Sequence, residues 1–177
     1  MQILETVPEM KLTFQETNKL VEELSEYHKI YSPFFQRREQ REWSEIYLRG
    51  LLLEIPRKSI EPIVLATKGS DLNAIRAMQQ FVSEGRWEDE KLLQQHWQEV
   101  DSTLGEENGV LTLDGSDFAK QGRASVGVKR QYCGELGKRA NCQAGVFLGY
   151  ASTQGYTLLD RRLYLPEEWV SSEEFAE

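Results

Sequence analysis

Asp114 is the residue that most invites a chemical reading. It closes the apolar run Val110-Leu111-Thr112-Leu113 and is followed by Gly115. A carboxylate leaving the end of a short strand has a fixed direction, and a neighbouring glycine lets a metal ion or a phosphate come close to the backbone. Asp117, three residues on, is placed to assist. The same string of strand, Asp and Gly also spells a turn, which is its commoner meaning. Other chemistries lack their parts. The two histidines, His28 and His96, are distant and give no credible Ser-His-Asp set. There is no GxxxxGK[ST] loop and no GxGxxG fingerprint. Cys133 and Cys142 are too few for a disulfide framework and are expected to be reduced. With the histidines far upstream, they also fall short of the about four ligands a zinc site needs. Metal-assisted phosphoryl transfer is the one enzyme class with a visible handle.

Charge distribution adds a second clue. The chain carries a net charge of −8, which by itself argues against a nucleic-acid binder. The average conceals an asymmetry. Residues 1–110 hold 13 Lys and Arg against 20 Asp and Glu, net −7. From Lys120 to Gln143 the bases Lys120, Arg123, Lys129, Arg130, Lys138 and Arg139 face Glu135 alone, net +5. The last fifteen residues contain Glu167, Glu168, Glu173, Glu174 and Glu177 and no base. A basic island between acidic flanks can follow a phosphate backbone locally. It can equally be a solvated loop, or an ordered insert whose turns use Gly122, Gly127, Gly134 and Gly137.

The elements that must position these residues follow from periodicity. Thr13 and Glu16 fit a capping box, with Leu20, Leu24, Tyr27 and Tyr31 behind it at helical spacing. Ser32-Pro33 breaks that helix. A second helix carries Trp43, Ile46, Tyr47 and Gly50 and ends at Pro56. Ser59 opens a short third one, Asp71 a fourth, and Trp87 to Val100 forms a fifth. Beyond Gly105-Glu-Glu-Asn-Gly109 the pattern changes to three strand-like runs: Val110–Leu113, Ala144–Ala151 and Tyr156–Leu165. Ser152-Thr-Gln-Gly155 reads as the turn of a hairpin. The chain of 177 residues is thus expected to be α+β, with a helical region over 1–105 and a sheet region over 106–177. No run approaches the roughly 20 apolar residues of a membrane span. The N-terminus lacks the features of a signal peptide, so the cytoplasm is the expected location.

Several long motifs resemble bacterial insertion-sequence transposases of the DDE superfamily. They are Leu113-Asp-Gly-Ser-Asp-Phe-Ala-Lys-Gln-Gly122, SVGVKRQYCGELGKRANCQAGVFLGYAS (125–152) and LLDRRLYLPEEW (158–169). The upstream segments YLRGLLLEIPRKSIEPI (47–63) and AMQQFVSEGRWEDEKLL (77–93) match the helical region of the same group. The resemblance implies a ribonuclease-H-like catalytic fold in which three carboxylates hold two divalent ions, Mg²⁺ or Mn²⁺, for attack on a DNA phosphodiester. It implies that Asp114 is the first of these carboxylates and that transposon-end DNA is the partner. Lys120, Arg123, Lys129, Arg130, Lys138 and Arg139 are then candidate DNA contacts.

The chain departs from the pattern in two places. Family members often carry an aspartate and a threonine where this chain has Gly115-Ser116, and a glycine where it has Asp117. The family's second aspartate and final glutamate lie beyond the LYLPEEW motif, in sequence this chain does not include. Asp160 precedes that point and reads as a strand residue paired with Arg161 or Arg162. The expectation is a truncated transposase holding the first three strands of an incomplete ribonuclease-H-like fold, inactive alone. Val110–Leu113 would then present an unpaired edge and an uncovered apolar face. Two further roles are open: half of a split enzyme completed by a second fragment, or a module that docks on intact transposase and inhibits it. Homo-oligomers are a further possibility; a membrane partner is not expected.

Overall fold

The computed structural model describes residues 13–122 and 124–171, so Arg123 and the tail residues Glu173, Glu174 and Glu177 lie outside it. The fold is α+β, with helices first and an antiparallel sheet after them. Two compact units divide the chain, one ending at Leu92 and the other beginning at Leu93. No described helix is long and apolar enough to cross a membrane.

Helix α1 (Phe14–Tyr31) starts with the capping box its sequence announces. Glu16 N donates to Thr13 Oγ1 (3.3 Å), and Thr13 N donates to Glu16 Oε2 (2.7 Å). A 3-10 turn at Ser32–Phe34 leads to α2 (Arg38–Leu52), which stops ahead of Pro56. Arg49 on α2 donates to Glu45 Oε1 (2.7 Å) and to Ser25 Oγ on α1 (2.8 Å). His28 is buried between these helices, its Nε2 2.7 Å from Ser44 Oγ. Helix α3 (Ile60–Lys68) begins after Ser59, whose side chain makes no capping bond. Asp71 does cap α4 (Leu72–Ser83), accepting from Asn73 N at 2.9 Å. Helix α5 (Asp89–Leu104) begins two residues later than periodicity predicts, because Trp87 is a core residue of the preceding loop. Its ring lies against Phe35 and Phe81, and its Nε1 donates to Phe81 O at 3.2 Å.

Phe35, Val64, Ala74, Ile75, Met78 and Phe81 form the core of the first unit. Helices α2 and α3 meet where Gly50 faces Ile63: a Cβ at position 50 would collide with Ile63 Cγ2, and Ile63 is fully buried.

The second unit is built on one long strand. Strand β3 (Lys138–Ala151) pairs on one side with β1 (Val110–Ala119); on its other side β2 (Lys129–Cys133) and β4 (Tyr156–Leu163) follow one another. The three strand-like runs are all present, and a fourth strand, β2, comes from the basic island. β3 and β4 are joined at the expected hairpin, with Ser152 N donating to Gly155 O (2.8 Å). Glu106, just after α5, fixes that turn by accepting from Thr153 N (3.0 Å), Thr153 Oγ1 (2.5 Å) and Gln154 Nε2 (3.2 Å). The Thr153 hydroxyl and amide, then Gln154, hold the Glu106 carboxyl below its ordinary range. Tyr150 Oη donates to Leu104 O (3.2 Å), tying the end of α5 to β3. A short helix α6 (Glu167–Val170) follows β4.

Two outcomes follow. Gly50→Ala should destabilise the chain by about 1–3 kcal/mol, since Ile63 has no room to retreat and the overpacking exceeds the helix-propensity gain of Ala. Urea denaturation reads this directly. The second outcome concerns His28, whose pKa is held below its ordinary 6.5 chiefly by burial, with Arg49 adding to the effect and Glu45 opposing it. The unfolded chain therefore binds a proton that the folded chain refuses, so stability is full above the unfolded value and falls as pH drops below it. Denaturation midpoints between about pH 5 and about pH 8 should show this slope, and His28→Gln should flatten it.

Candidate functional site

Strand β1 does not end at Asp114. It pairs with β3 without interruption from Val110↔Ala151 to Ala119↔Cys142, so Asp114 is the fifth of ten strand residues and not the head of a turn. Asp and Gly are poor strand formers, but a long, already extended partner overrides that preference. The extension is held by aromatic packing. Phe118 and Phe147 lie edge to face, 6.2 Å apart at 64°, across Gly145, where a Cβ would sit 2.9 Å from the Phe147 ring.

Residues directly opposite in an antiparallel ladder share a face, and successive residues alternate. Asp114 lies opposite Phe147, which lies opposite Arg161. Leu113, Leu148 and Asp160 form the next row, on the other face. Asp117 shares that second face, an odd number of residues from Asp114. The three aspartates are thus not gathered. Asp114 is exposed; its Oδ1 accepts from Gly115 N (2.8 Å) and its Oδ2 has no described partner. Asp160 is mostly buried, 3.1 Å from Arg162 Nη2 and 3.8 Å from Arg161 Nη1, so it pairs with both arginines. Asp117 Oδ2 accepts from Gly134 N at 2.6 Å.

That last bond is half of a clasp. The 3-10 turn Gly134–Leu136, between β2 and β3, folds back on β1, where Glu135 Oε2 accepts from Ala119 N (3.1 Å). The clasp covers the end of the β1 edge, which otherwise has no second strand among the described residues. Upstream of it Val110, Leu111 and Leu113 are 58%, 62% and 72% exposed, so the apolar surface expected there is present.

The basic island is ordered, and its members diverge. Gly127 and Gly137 take left-handed backbone angles at its bends, φ 76° and 61°. Lys120 follows β1, its amide donating to Asn141 O (2.9 Å). Lys129 and Lys138 share a face of the hairpin with Cys133 and Cys142, and Lys129 pairs with Glu168 at 2.7 Å. Arg130 and Arg139 lie on the opposite face with Tyr132. Along β3 that is the face of Phe147 and therefore of Asp114. Both thiols are free and fully buried; burial pushes the Cys142 thiol up, with contact to Cys133 adding and a Gln131 bond opposing. The sequence gives no sign of Tyr132, because only the register reveals that it shares a face with Arg130 and Arg139.

A cleft of about 660 Å³ lies between α5 and the sheet, lined by Trp97, Leu111, Leu148, Tyr150, Leu159 and Asp160. Trp97 Nε1 donates to Leu159 O (2.8 Å), and His96 Nε2 lies 2.7 Å from Leu158 O, beside a bulge between β3 and β4. It opens on the Asp160 face, away from Asp114.

A family model described as DDE superfamily endonuclease matches residues 31–176. No curated protein and no solved structure matches the chain.

The clasp gives a direct test of the role of Asp117. Asp117→Ala should cost about 1.5–3 kcal/mol, the usual worth of a hydrogen bond to a charged group, and should speed amide exchange at Gly134. Exchange measured by NMR separates this from a role in metal binding, which would leave Gly134 protected.

Proposed function

The chain belongs to the DDE superfamily of endonucleases, and from that membership we propose that Asp114 is the first metal-binding carboxylate of a transposase-like DNA strand-cleavage and strand-transfer centre. Enzymes of this family generally use divalent metals, for which Mg²⁺ or Mn²⁺ is the natural choice. Hard ions of this kind take oxygen ligands, and a pair of them needs several carboxylates. Asp114 fits as one such ligand: its Oδ2 has no partner among the described residues, and its strand fixes its direction. The remaining residues do not complete the set. Asp117 and Asp160 lie on the other face of the sheet with partners of their own. Among the described residues no group of three or more His, Cys, Asp or Glu side chains is placed to hold a metal. The observation that carries the reading is this isolation of an exposed carboxylate within the family motif.

On this reading the described residues supply one carboxylate of the set, a second polypeptide would supply the others, and strand cleavage by these 177 residues alone is not expected. The exposed edge of β1 next to Asp114 supports completion by a second polypeptide that pairs there. The same edge supports the alternative role, docking on an intact transposase to block its assembly.

Two measurements test the proposal. Titration of Mg²⁺ or Mn²⁺ with a labelled duplex should give no nicking above a protein-free control; nicking abolished by Asp114→Ala would overturn the claim of inactivity. Mn²⁺ added to isotope-labelled chain should broaden the amide signals of Leu113 to Gly115, and Asp114→Ala should remove that effect. Broadening centred elsewhere would overturn the assignment of Asp114.

A further inference from the structure

We propose that the outward face of the β2–β3 hairpin, built from Arg130, Tyr132 and Arg139, binds an unpaired stretch of DNA, with a base stacked on the tyrosine and phosphates on the two guanidiniums. The inference rests on the reading of this chain as a DNA-processing protein, and adds the form of the nucleic acid and the residues that hold it.

Strand β2 alternates cleanly. Lys129 and Gln131 are half-buried and Cys133 is buried, whereas Arg130 and Tyr132 are exposed. Tyr132 lies directly opposite Arg139 in the ladder, and Arg130 lies opposite Asn141. The ring is thus flanked by one arginine across the sheet and another two residues back on its own strand. Tyr132 is 65% exposed. Neither guanidinium has a partner among the described residues. Glu135, the one acid of the island, is engaged by Ala119 N on β1. In a chain of net charge −8, a strip with two arginines that have no partner among the described residues, and with no carboxylate on strand β2, is a local complement for phosphate.

The platform is also rigid. Gly134 and Glu135 tie the hairpin tip to β1 through Asp117 and Ala119, so little ordering is needed when a ligand arrives. The aromatic ring selects the form of the ligand. A duplex offers base edges in its grooves, whereas an unpaired base offers a π-face, and stacking on an aromatic flanked by cations is tolerant of sequence. Cleavage and joining of strand ends create such unpaired nucleotides.

The test is fluorescence anisotropy of a labelled oligothymidylate, and of a blunt duplex of equal length, with the full chain in chelator. Binding is thereby read apart from any metal or cleavage activity, so this inference and the Asp114 assignment fail separately. The chain should prefer the single strand. Tyr132→Ala should weaken binding about tenfold, within the range for one stacked base, and Tyr132→Phe should retain it. The double variant Arg130→Gln/Arg139→Gln should weaken binding and lower the slope of log affinity against log salt by about 1.4, two phosphates' worth on a single strand. The control double variant Lys129→Gln/Lys138→Gln, on the opposite face, should leave that slope unchanged. The proposal is overturned if neither DNA binds, if the duplex binds equally well, if Tyr132→Ala binds like the parent, or if the lysine pair matters as much as the arginine pair.

Discussion

The register of β3 is the constraint on which the second unit depends. Every other strand of the sheet pairs with this one strand, so its fourteen residues decide which side chains share a face. A slip of one residue between β1 and β3 would move Asp114 to the face of Asp160 and send Leu113 to the other side. Two features hold the register. Phe118 and Phe147 interlock over Gly145, which admits no side chain. Tyr150 reaches back to Leu104 O, and a Cβ at Gly109 would collide with the same ring, so the start of β1 has one allowed alignment.

The free edges show how carboxylates serve the sheet before they serve chemistry. Lys120 N points into the ladder, toward Asn141 O, so alternate amides back along β1, at Ala119, Asp117, Gly115 and Leu113, point outward. Ala119 N finds Glu135, and Gly115 N finds the carboxylate of its own neighbour, Asp114. On β4, Arg161 N finds Asp160 in the same way. Acids that satisfy outward amides and add charge discourage another chain from pairing there. Among the described residues Leu111 and Leu113 have no such guard, which places the accessible part of the edge just upstream of Asp114.

Much of the helical region was legible because its signals are local. The Thr13–Glu16 box, the Ser32-Pro33 break and the Asp71 cap each need only a few neighbouring residues, and each is found where the sequence puts it. Trp87 was misread as helical because a core contact with Phe35 and Phe81 outweighs its spacing. The sheet was harder for a physical reason: strand pairing is non-local. Asp114-Gly115-Ser116 spells a turn until the length of β3 is known. The island spells a loop, a phosphate contact or an ordered insert alike until the pairing of β2 with β3 is known, with Gly127 and Gly137 at its bends. The candidate site shares that limit. Charge marked the segment, but the division of its bases between two faces, and the exposure of Tyr132, are properties of register that no local pattern carries.

The two units differ in how fully they bury their apolar surface, and the difference bears on function. In the first, Phe35, Val64, Met78 and Phe81 close around one another within the unit. In the second, Val100, Val128, Cys133 and Cys142 are buried, while Leu111, Leu113, Leu158 and Tyr156 remain 57% to 88% exposed. Fully covering a leucine contributes about 1.5–3 kcal/mol, so Leu111 and Leu113 on the β1 margin, with Tyr156 and Leu158 on the opposite β4 margin, represent an unused driving force for association. The β1 margin runs beside Asp114. A polypeptide that paired with β1 would cover Leu111 and Leu113 and deliver its own side chains next to Asp114 Oδ2, which has no partner among the described residues, in the same event. On the proposal that Asp114 is a metal ligand, assembly of the sheet and assembly of the site would be one process, and the isolated carboxylate and the open edge would share one explanation.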